Sequence, residues 1–414
     1  MQTLKQGFIA IAFVAVLVVG LRLVTVDRRV EFRYPDERLY FEIGSNLANH
    51  GCYALDTKPP LYAVRQAPGL PFALGALGSI TPLTLQKARL LNGMVYVLAA
   101  GLYAFAVWRL TANIRLAALM LAAAGLHPVN LYASLTNYPQ SFQAFWLACV
   151  AAVLACRSAA TAPWRAASGW LDGALVGAGA MFVPTQIFIL PGLVAWHWSR
   201  RWRPLIQYTA ALAGGLLLAI LPWTARNAWA EKTLIPFSTS GGEQCYLGFN
   251  DQAGMNTGIQ IVLPPDLRAE LDTASSGKAV ERCFSDRARM WIGEHPGTAA
   301  RLWILKFANF FRWDNGPMVT ESERSTFREW VARLTSLAVL AAGLSGCWTL
   351  RRRAPAWPLL TLVMMGTLAA GHACFIARYR YRLPFEPFLL FIGAIGWGLS
   401  RRKDQAMQAG SCHE

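Results

Sequence analysis

Long runs of apolar residues recur along most of the chain, and short polar connections separate them. A helix of about 20 residues crosses the hydrocarbon core of a bilayer. The apolar runs therefore predict about ten transmembrane helices, at residues 7–24, 88–108, 115–133, 141–156, 168–183, 186–199, 205–222, 332–350, 357–376 and 385–400. This pattern is typical of an all-α polytopic membrane protein.

The composition agrees with a membrane location. Of the 414 residues, 55% are apolar and 15% are charged, whereas charged residues make up about a quarter of a soluble protein. The formal net charge is +16, but the basic residues occur in short clusters between apolar runs and do not form one continuous surface. The charge pattern therefore argues against a nucleic acid partner and favours membrane lipids.

Clusters of Lys and Arg in short connections predict the orientation, because such clusters remain in the cytoplasm. If Lys5 is cytoplasmic, five clusters fall on the same side, at 109–115, 157–165, 200–203, 351–353 and 401–403. This parity requires that the apolar stretch 68–80 does not cross the bilayer, and its 13 residues would rise only about 20 Å as a helix. We therefore expect a re-entrant or interfacial helix there, with both termini cytoplasmic.

Two long segments, 25–87 and 223–331, then lie outside the membrane. They divide the chain into a membrane domain (1–222) that includes the first external loop, a mixed outward-facing cap (223–331) and C-terminal membrane helices (332–414). The eight cysteines form no Cys-x-x-Cys pair or Cys/His cluster, so the sequence predicts no metal site and no cofactor. A disulfide can form on the oxidising side, where Cys245 with Cys283 is the favoured pair.

The first external segment begins with a predicted amphipathic helix on the membrane surface. Leu39, Ile43 and Leu47 recur every four residues, and Gly51 can end the helix. Its first turn holds two adjacent carboxylates, Asp36 and Glu37. They can cap the helix and interact with its dipole, or one can serve as a general base at the membrane edge; the two roles are compatible.

Several cations are predicted to lie on the external side, against the usual bias. Lys58 and Arg65 lie at headgroup level, either as snorkelling side chains or as phosphate ligands. Arg226 follows the span at 205–222, and Arg378, Arg380 and Arg382 precede the last span. Such a group predicts an anionic partner, unless one span is misplaced and the C-terminal cluster is cytoplasmic.

Taken together, these features resemble the GT-C class of membrane glycosyltransferases, in the bacterial branch similar to dolichyl-phosphate-mannose protein mannosyltransferases and lipid A aminoarabinose transferases. Six short motifs, in the family's order, carry the resemblance over most of the chain. They are Pro35 to Glu37 (Pro-Asp-Glu), Pro68 to Pro71 (Pro-Gly-x-Pro), Pro222 to Asn227 (Pro-Trp-Thr-x-Arg-Asn), Ser238 to Gly242 (Ser-Thr-x-Gly-Gly), His295 to Gly297 (His-Pro-Gly) with Lys306 downstream, and Arg380 to Pro384 (Arg-Tyr-Arg-Leu-Pro).

The resemblance implies transfer of a sugar from a polyprenyl-phosphate-linked donor to an envelope acceptor at the outer face of a bacterial inner membrane. The catalytic acid of the family maps to Asp36, with Glu37 beside it. The implied mechanism is a single displacement with inversion, in which Asp36 takes the acceptor proton. The phosphate ligands would come from the external cations Lys58, Arg65, Arg226, Arg378, Arg380 and Arg382.

The sequence departs from the family pattern at two positions. Tyr138 stands where many relatives carry a second acid, and Val183 stands where relatives often have Arg before the proline. A second acid could instead come from Glu42 or Glu243, and residues 243–300, which include Asn250, are expected to determine acceptor selectivity. An inactive relative, or a transporter or assembly scaffold for lipid-linked saccharides, is the alternative function.

Overall fold

The computed structural model describes residues 2–411 apart from 27–30, 33, 58–59, 63–64, 160–166, 200–204, 257–260, 275 and 313–325. The N-terminal half contains α1 (Gln2–Thr25), α2 (Pro35–His50), β1 (Ala54–Thr57), β2 (Pro60–Tyr62), α3 (Gly69–Ile80), α4 (Leu85–Thr111), α5 (Ile114–Gly125), α6 (Pro128–Ala133), α7 (Gln140–Ala159), α8 (Ser168–Ala180), a 3-10 helix (Pro184–Ile189) and α9 (Leu190–Trp198). The C-terminal half contains α10 (Leu205–Glu231), α11 (Gly241–Gly248), α12 (Pro265–Thr273), α13 (Gly277–Glu294), α14 (Pro296–Phe311), α15 (Thr326–Leu350), α16 (Ala356–Ala373), α17 (Tyr379–Arg382), a 3-10 turn (Leu383–Phe385) and α18 (Glu386–Ser411).

Six segments of the described chain are long and apolar enough to cross a membrane. They are Leu85–Thr111, Gln140–Ala159, Leu205–Glu231, Thr326–Leu350, Ala356–Ala373 and Tyr379–Arg401. The chain is therefore an α-helical polytopic membrane protein, as its apolar runs predict. The full count of ten stays a prediction.

Three of the other expected spans form shorter helices. α5, α8 and α9 contain 12, 13 and 9 residues, and a helix rises about 1.5 Å per residue. The apolar run 115–133 is divided after Gly125, where α6 begins with Pro128, which has no backbone N–H to continue the helix. The run 186–199 likewise begins as a 3-10 helix before α9.

α8 and α10 pack closely because small residues line their contact. A Cβ atom on Gly173 would lie 1.9 Å from the carbonyl oxygen of Leu212, and one on Gly215 would lie 2.1 Å from that of Trp170. Small residues allow membrane helices to approach until their backbones touch. α10 also continues beyond the predicted end at 222 to Glu231, with Pro222 inside the helix, so Arg226 belongs to this helix.

α2 and α3 pack against each other as a helical pair. α2 ends at Gly51, whose φ of 64° is left-handed, as predicted for this position. α3 has 12 residues, too few to cross about 30 Å of hydrocarbon. The pair packs closely at Gly44, where a Cβ atom would lie 2.6 Å from the Cβ atom of Leu74. β1 and β2 follow α2 as an antiparallel two-stranded sheet.

The cap contains α11 to α14, and an apolar cluster joins the first three of these helices. Tyr246, Leu267 and Phe284 are buried in this cluster, and Cys245 and Cys283 pack against it. Both cysteines carry free thiols, so the predicted disulfide is wrong. Each cysteine instead acts as a small apolar side chain in the cluster.

Candidate functional site

A cavity of about 340 Å³ opens where α2, the segment before α3, α11 and the ends of several membrane helices meet. This volume lies in the range of small-molecule sites. Five of the residues singled out in the sequence line it, namely Asp36, Arg65, Tyr138, Glu243 and Arg380. They come from α2, the segment before α3, the loop before α7, α11 and α17, so only the tertiary fold brings them together.

The Asp36 carboxylate faces this cavity. The N-cap position of α2 is occupied by Tyr34, and no side-chain hydrogen bond caps the helix, so capping does not account for Asp36. The Tyr138 hydroxyl lies 3.4 Å from Asp36 Oδ2. Burial, followed by the charge of Asp36, raises the pKa of Tyr138, which keeps the phenol protonated. Tyr138 therefore donates a hydrogen bond to the carboxylate.

Glu37 has a different environment from its neighbour, because its side chain is fully buried. Its Oε1 accepts a hydrogen bond of 2.7 Å from the Asn137 backbone N–H, and Asn137 Nδ2 donates to the Glu37 carbonyl at 3.0 Å. Arg89 Nη2 lies 3.5 Å from Glu37 Oε2. Glu37 thus fixes the first turn of α2 to the loop that carries Tyr138, and this attachment positions Asp36.

Arg380 is a cation that lines the same cavity as Asp36. Its Nη2 donates to the Tyr381 hydroxyl at 2.8 Å. The pKa of Tyr40, another lining residue, is raised mainly by burial and next by Asp36, while Arg380 opposes this shift. The Asp36 carboxylate and the Arg380 guanidinium therefore both influence the pKa of Tyr40, in opposite directions. Opposite charges thus border one cavity.

Arg65 and Glu243 form an ion pair at the same cavity. Arg65 Nε and Nη2 donate to the two Glu243 carboxylate oxygens at 3.0 and 2.7 Å, a bidentate geometry. The Arg65 side chain is 52% exposed, so the pair adds little to stability. The contact links the first external loop to α11 of the cap.

Three predicted phosphate ligands are absent from the described lining of this cavity. Arg226 lies over the rings of Tyr53 and Trp223, 5.2 and 4.9 Å from their centres. Arg378 Nη2 donates to the Asn256 carbonyl at 2.8 Å. Arg382 is fully buried. Lys58 lies outside the described residues.

Asn250 has a local structural role at the end of α11. Its Nδ2 donates to the Tyr246 carbonyl at 2.7 Å, and its Oδ1 accepts from the Gln252 backbone N–H at 2.8 Å. These bonds satisfy a terminal carbonyl of the helix and shape the turn that follows. The part of Asn250 in acceptor selectivity stays a prediction.

Arg382 belongs to a buried charge network at the start of α18. Its Nη2 lies 3.1 Å from Glu386 Oε1 and also contacts the Ser336 hydroxyl, and its Nη1 donates to the Phe310 carbonyl at 3.0 Å. His127 Nε2 lies 2.9 Å from Glu386 Oε2. The network joins α14, α15 and α18 beneath the cavity, so we assign Arg382 a structural role.

We expect Arg382→Met to destabilise the protein by about 3–5 kcal/mol, because it removes the arginine that pairs with the buried Glu386 carboxylate. Thermal unfolding of the detergent-solubilised protein, followed by tryptophan fluorescence, measures this loss. The double variant with Glu386→Gln should lose less than the sum of the single variants, because the two groups interact. Additive losses would contradict the assignment.

Lys306 connects the cap to the membrane helices. Its buried Nζ donates to the carbonyl oxygens of Gly248 and Phe375, both at 2.9 Å, and lies 3.5 Å from the centre of the Phe249 ring. Burial lowers the pKa of Lys306 from its ordinary value of 10.5 to about 8. The family motif drew attention to this lysine, but only the structure reveals its contacts.

The lowered pKa of Lys306 predicts a pH dependence of stability. Between about pH 8 and 10.5 the unfolded chain binds a proton at this lysine that the folded chain does not, so stability should rise with pH in this window. Other groups also titrate there, and the measured quantity is the difference between wild type and Lys306→Met in thermal unfolding from pH 7 to 10.5. A constant difference across this range would show that the burial of Lys306 carries no such penalty.

The sequence reasoning missed several polar residues of the cavity wall, including Gln140, Gln143, Thr185 and His372. Gln140 and Gln143 are three residues apart and therefore share a face of α7. Their position directly after the Tyr138 loop was a usable signal. The sequence gave no such signal for His372 or Thr185, because each lies in an apolar run. Among the described residues, no group of three or more His, Cys, Asp or Glu side chains could hold a metal ion.

Two solved structures are similar to this chain. Archaeal oligosaccharyltransferase AglB from Archaeoglobus fulgidus, in complex with an inhibitory peptide and a dolichol-phosphate, has a TM-score of 0.54 at 13% identity over 99% of this chain. ArnT from Cupriavidus metallidurans, bound to undecaprenyl phosphate, has a TM-score of 0.47 at 16% identity. The match covers 94% of this chain and 77% of ArnT. No protein-family model and no curated protein matches the sequence.

The likeness to AglB establishes the fold. The chain has the same fold as the part of AglB that it matches. This chain spans about half of the length of AglB, 52%.

Proposed function

We propose that this protein transfers a sugar from a polyprenyl-phosphate-linked donor to an envelope acceptor at the outer face of a bacterial inner membrane. The observation that carries the proposal is the shared cavity of Asp36, Arg65 and Arg380. The dolichol-phosphate bound by AglB, which has a similar fold, supports this choice of donor. In this proposal both termini lie in the cytoplasm, because the basic clusters between the apolar runs favour that side.

The proposed reaction is a single displacement with inversion. The acceptor oxygen forms a bond to the anomeric carbon while the bond between this carbon and the phosphate oxygen breaks. The acceptor proton passes to the Asp36 carboxylate, and the electron pair of the broken bond leaves with polyprenyl phosphate. Asp36 contributes chiefly by its position, because a base held beside the reacting atoms needs no further ordering in the transition state.

Arg380 and Arg65 are the proposed ligands of the phosphate. Negative charge develops on the leaving phosphate, and preplaced cations stabilise it. Arg380 borders the same cavity as Asp36, and the half-exposed Arg65 can exchange its partner Glu243 for a phosphate oxygen pair. Arg226, Arg378 and Arg382, whose contacts lie elsewhere, are given structural roles in this proposal.

Mass spectrometry of envelope glycans and glycolipids tests the proposed function. A strain that lacks the gene should lose one sugar modification and accumulate its lipid-linked donor, and the wild-type gene should restore both. A transporter or assembly scaffold would instead cause whole saccharides to be lost or retained inside the cell. An unchanged profile of glycans and lipid-linked sugars would refute the proposal.

A further inference from the structure

One wall of the cavity carries buried polar atoms that have no hydrogen-bond partner within the described part of the chain. They are Gln140 Oε1, Gln143 Nε2 and Thr185 Oγ1, and His372 Nε2 is a fourth. Gln143 and His372 are only 3% and 4% exposed. Buried polar atoms in native proteins nearly always have partners, and an unpaired one is costly. Several such atoms at one cavity indicate that a ligand supplies the missing partners.

The structure holds these side chains in a defined arrangement. Gln140 and Gln143 lie on the first turn of α7, and Thr185 lies on the 3-10 helix that follows α8. The ring of Phe142 on α7 stacks on the ring of Phe182, which precedes the 3-10 helix, with centres 4.4 Å apart and planes inclined by 10°. This contact holds α7 against the segment that leads into the 3-10 helix.

The chemistry of this wall favours an uncharged ligand that carries hydroxyl groups. Gln140 offers an acceptor, Gln143 a donor, and the Thr185 hydroxyl can act as either. The described lining of the cavity includes two carboxylates, Asp36 and Glu243, and Glu243 is already paired with Arg65. A cationic amino sugar would need a carboxylate partner at this wall, whereas a neutral sugar needs only amides and hydroxyls.

We propose that Gln140, Gln143 and Thr185 bind the sugar ring of the donor and that this sugar is uncharged. The inference rests on the proposed function, since it assumes a lipid-linked sugar in the cavity. It separates the recognition of the sugar, on the wall of α7 and the 3-10 helix, from the recognition of the phosphate by Arg65 and Arg380. The two parts can therefore be tested separately.

Binding of two purified lipids to the full chain in detergent tests the subsite. The probes are undecaprenyl phosphate and undecaprenyl-phosphate-glucose, with affinity followed by tryptophan fluorescence. We expect Gln143→Leu and Thr185→Val each to weaken binding of the glucosyl lipid about three- to tenfold, the usual effect of one neutral hydrogen bond. Binding of undecaprenyl phosphate should not change, and Thr185→Ser should restore the affinity for the glucosyl lipid.

Gln186→Leu is the matched control. Both amide atoms of Gln186 are also buried without a partner in the described chain, but this side chain is absent from the described lining of the cavity. It should therefore leave the affinity for both lipids unchanged. Equal weakening of both lipids by the subsite variants, or no change with either, would overturn the subsite.

A third probe tests the charge of the sugar. Undecaprenyl phosphate that carries an amino sugar should bind the wild-type protein more weakly than the glucosyl lipid, and tighter binding of the amino sugar would overturn the claim that the sugar is uncharged. If the wild-type protein binds none of the three lipids, the proposed function itself fails. This outcome is distinct from the failure of the subsite alone, in which undecaprenyl phosphate still binds.

Discussion

Asp36→Asn is expected to lower the rate of sugar transfer by about 10²- to 10⁴-fold, the usual contribution of a general base. The substitution retains the shape of the side chain and its contact with the Tyr138 hydroxyl but removes the ability to accept a proton. Because Tyr138 can still hydrogen-bond to the amide, the fold should be unchanged. The rate is measured with purified protein in lipid nanodiscs, from the release of polyprenyl phosphate in the presence of membrane extract that supplies the acceptor.

Two further variants make this test specific. Asp272→Asn removes an exposed carboxylate of the cap and should leave the rate unchanged. Glu37→Gln changes the buried neighbour of Asp36 and should lower thermal stability, because it removes the negative charge that lies 3.5 Å from the buried Arg89 guanidinium. A folded Asp36→Asn protein with the wild-type rate would remove Asp36 from the mechanism.

Arg380→Gln should have the second largest effect, a loss of about 10²- to 10³-fold in the rate of transfer. Its cause differs from that of Asp36→Asn, since the lost group stabilises charge on the leaving phosphate. The affinity for undecaprenyl phosphate should therefore fall together with the rate, whereas Asp36→Asn should leave this affinity largely intact. Measuring rate and affinity for both variants separates the base from the phosphate ligand.

Arg380→Lys and Arg301→Gln complete this comparison. Lysine retains the charge but lacks the planar fork of arginine, so we expect partial activity. Arg301 is an exposed residue on α14, and its loss should change neither rate nor affinity. If Arg380→Gln binds undecaprenyl phosphate as well as wild type does, the phosphate lies elsewhere in the protein.

The external helix illustrates how far the sequence could predict the site. The period of Leu39, Ile43 and Leu47 and the terminal Gly51 predict α2 correctly, because helix periodicity and a left-handed cap are local properties. The different environments of Asp36 and Glu37 could not be predicted. They depend on Asn137 and Tyr138, which are distant in sequence and reach α2 only through packing.

The arginines Arg378, Arg380 and Arg382 illustrate what the sequence could not predict. Their position against the positive-inside bias predicts anionic partners for all of them equally. The structure separates Arg380, which lines the cavity, from Arg382, whose anionic partner is the internal carboxylate Glu386. Arg380 and Arg382 are two positions apart on the helical turn Tyr379–Arg382, so their side chains point in different directions.

The sequence by itself determined that this is an α-helical membrane protein, where its long apolar helices lie and which class of fold it resembles, because hydropathy, helix period and short motifs are properties of contiguous residues. Tertiary structure alone decided which charged groups meet in one cavity, which are consumed in buried ion pairs and which polar side chains are left for a ligand. Those properties depend on distances between residues that are far apart in the chain, and packing sets these distances.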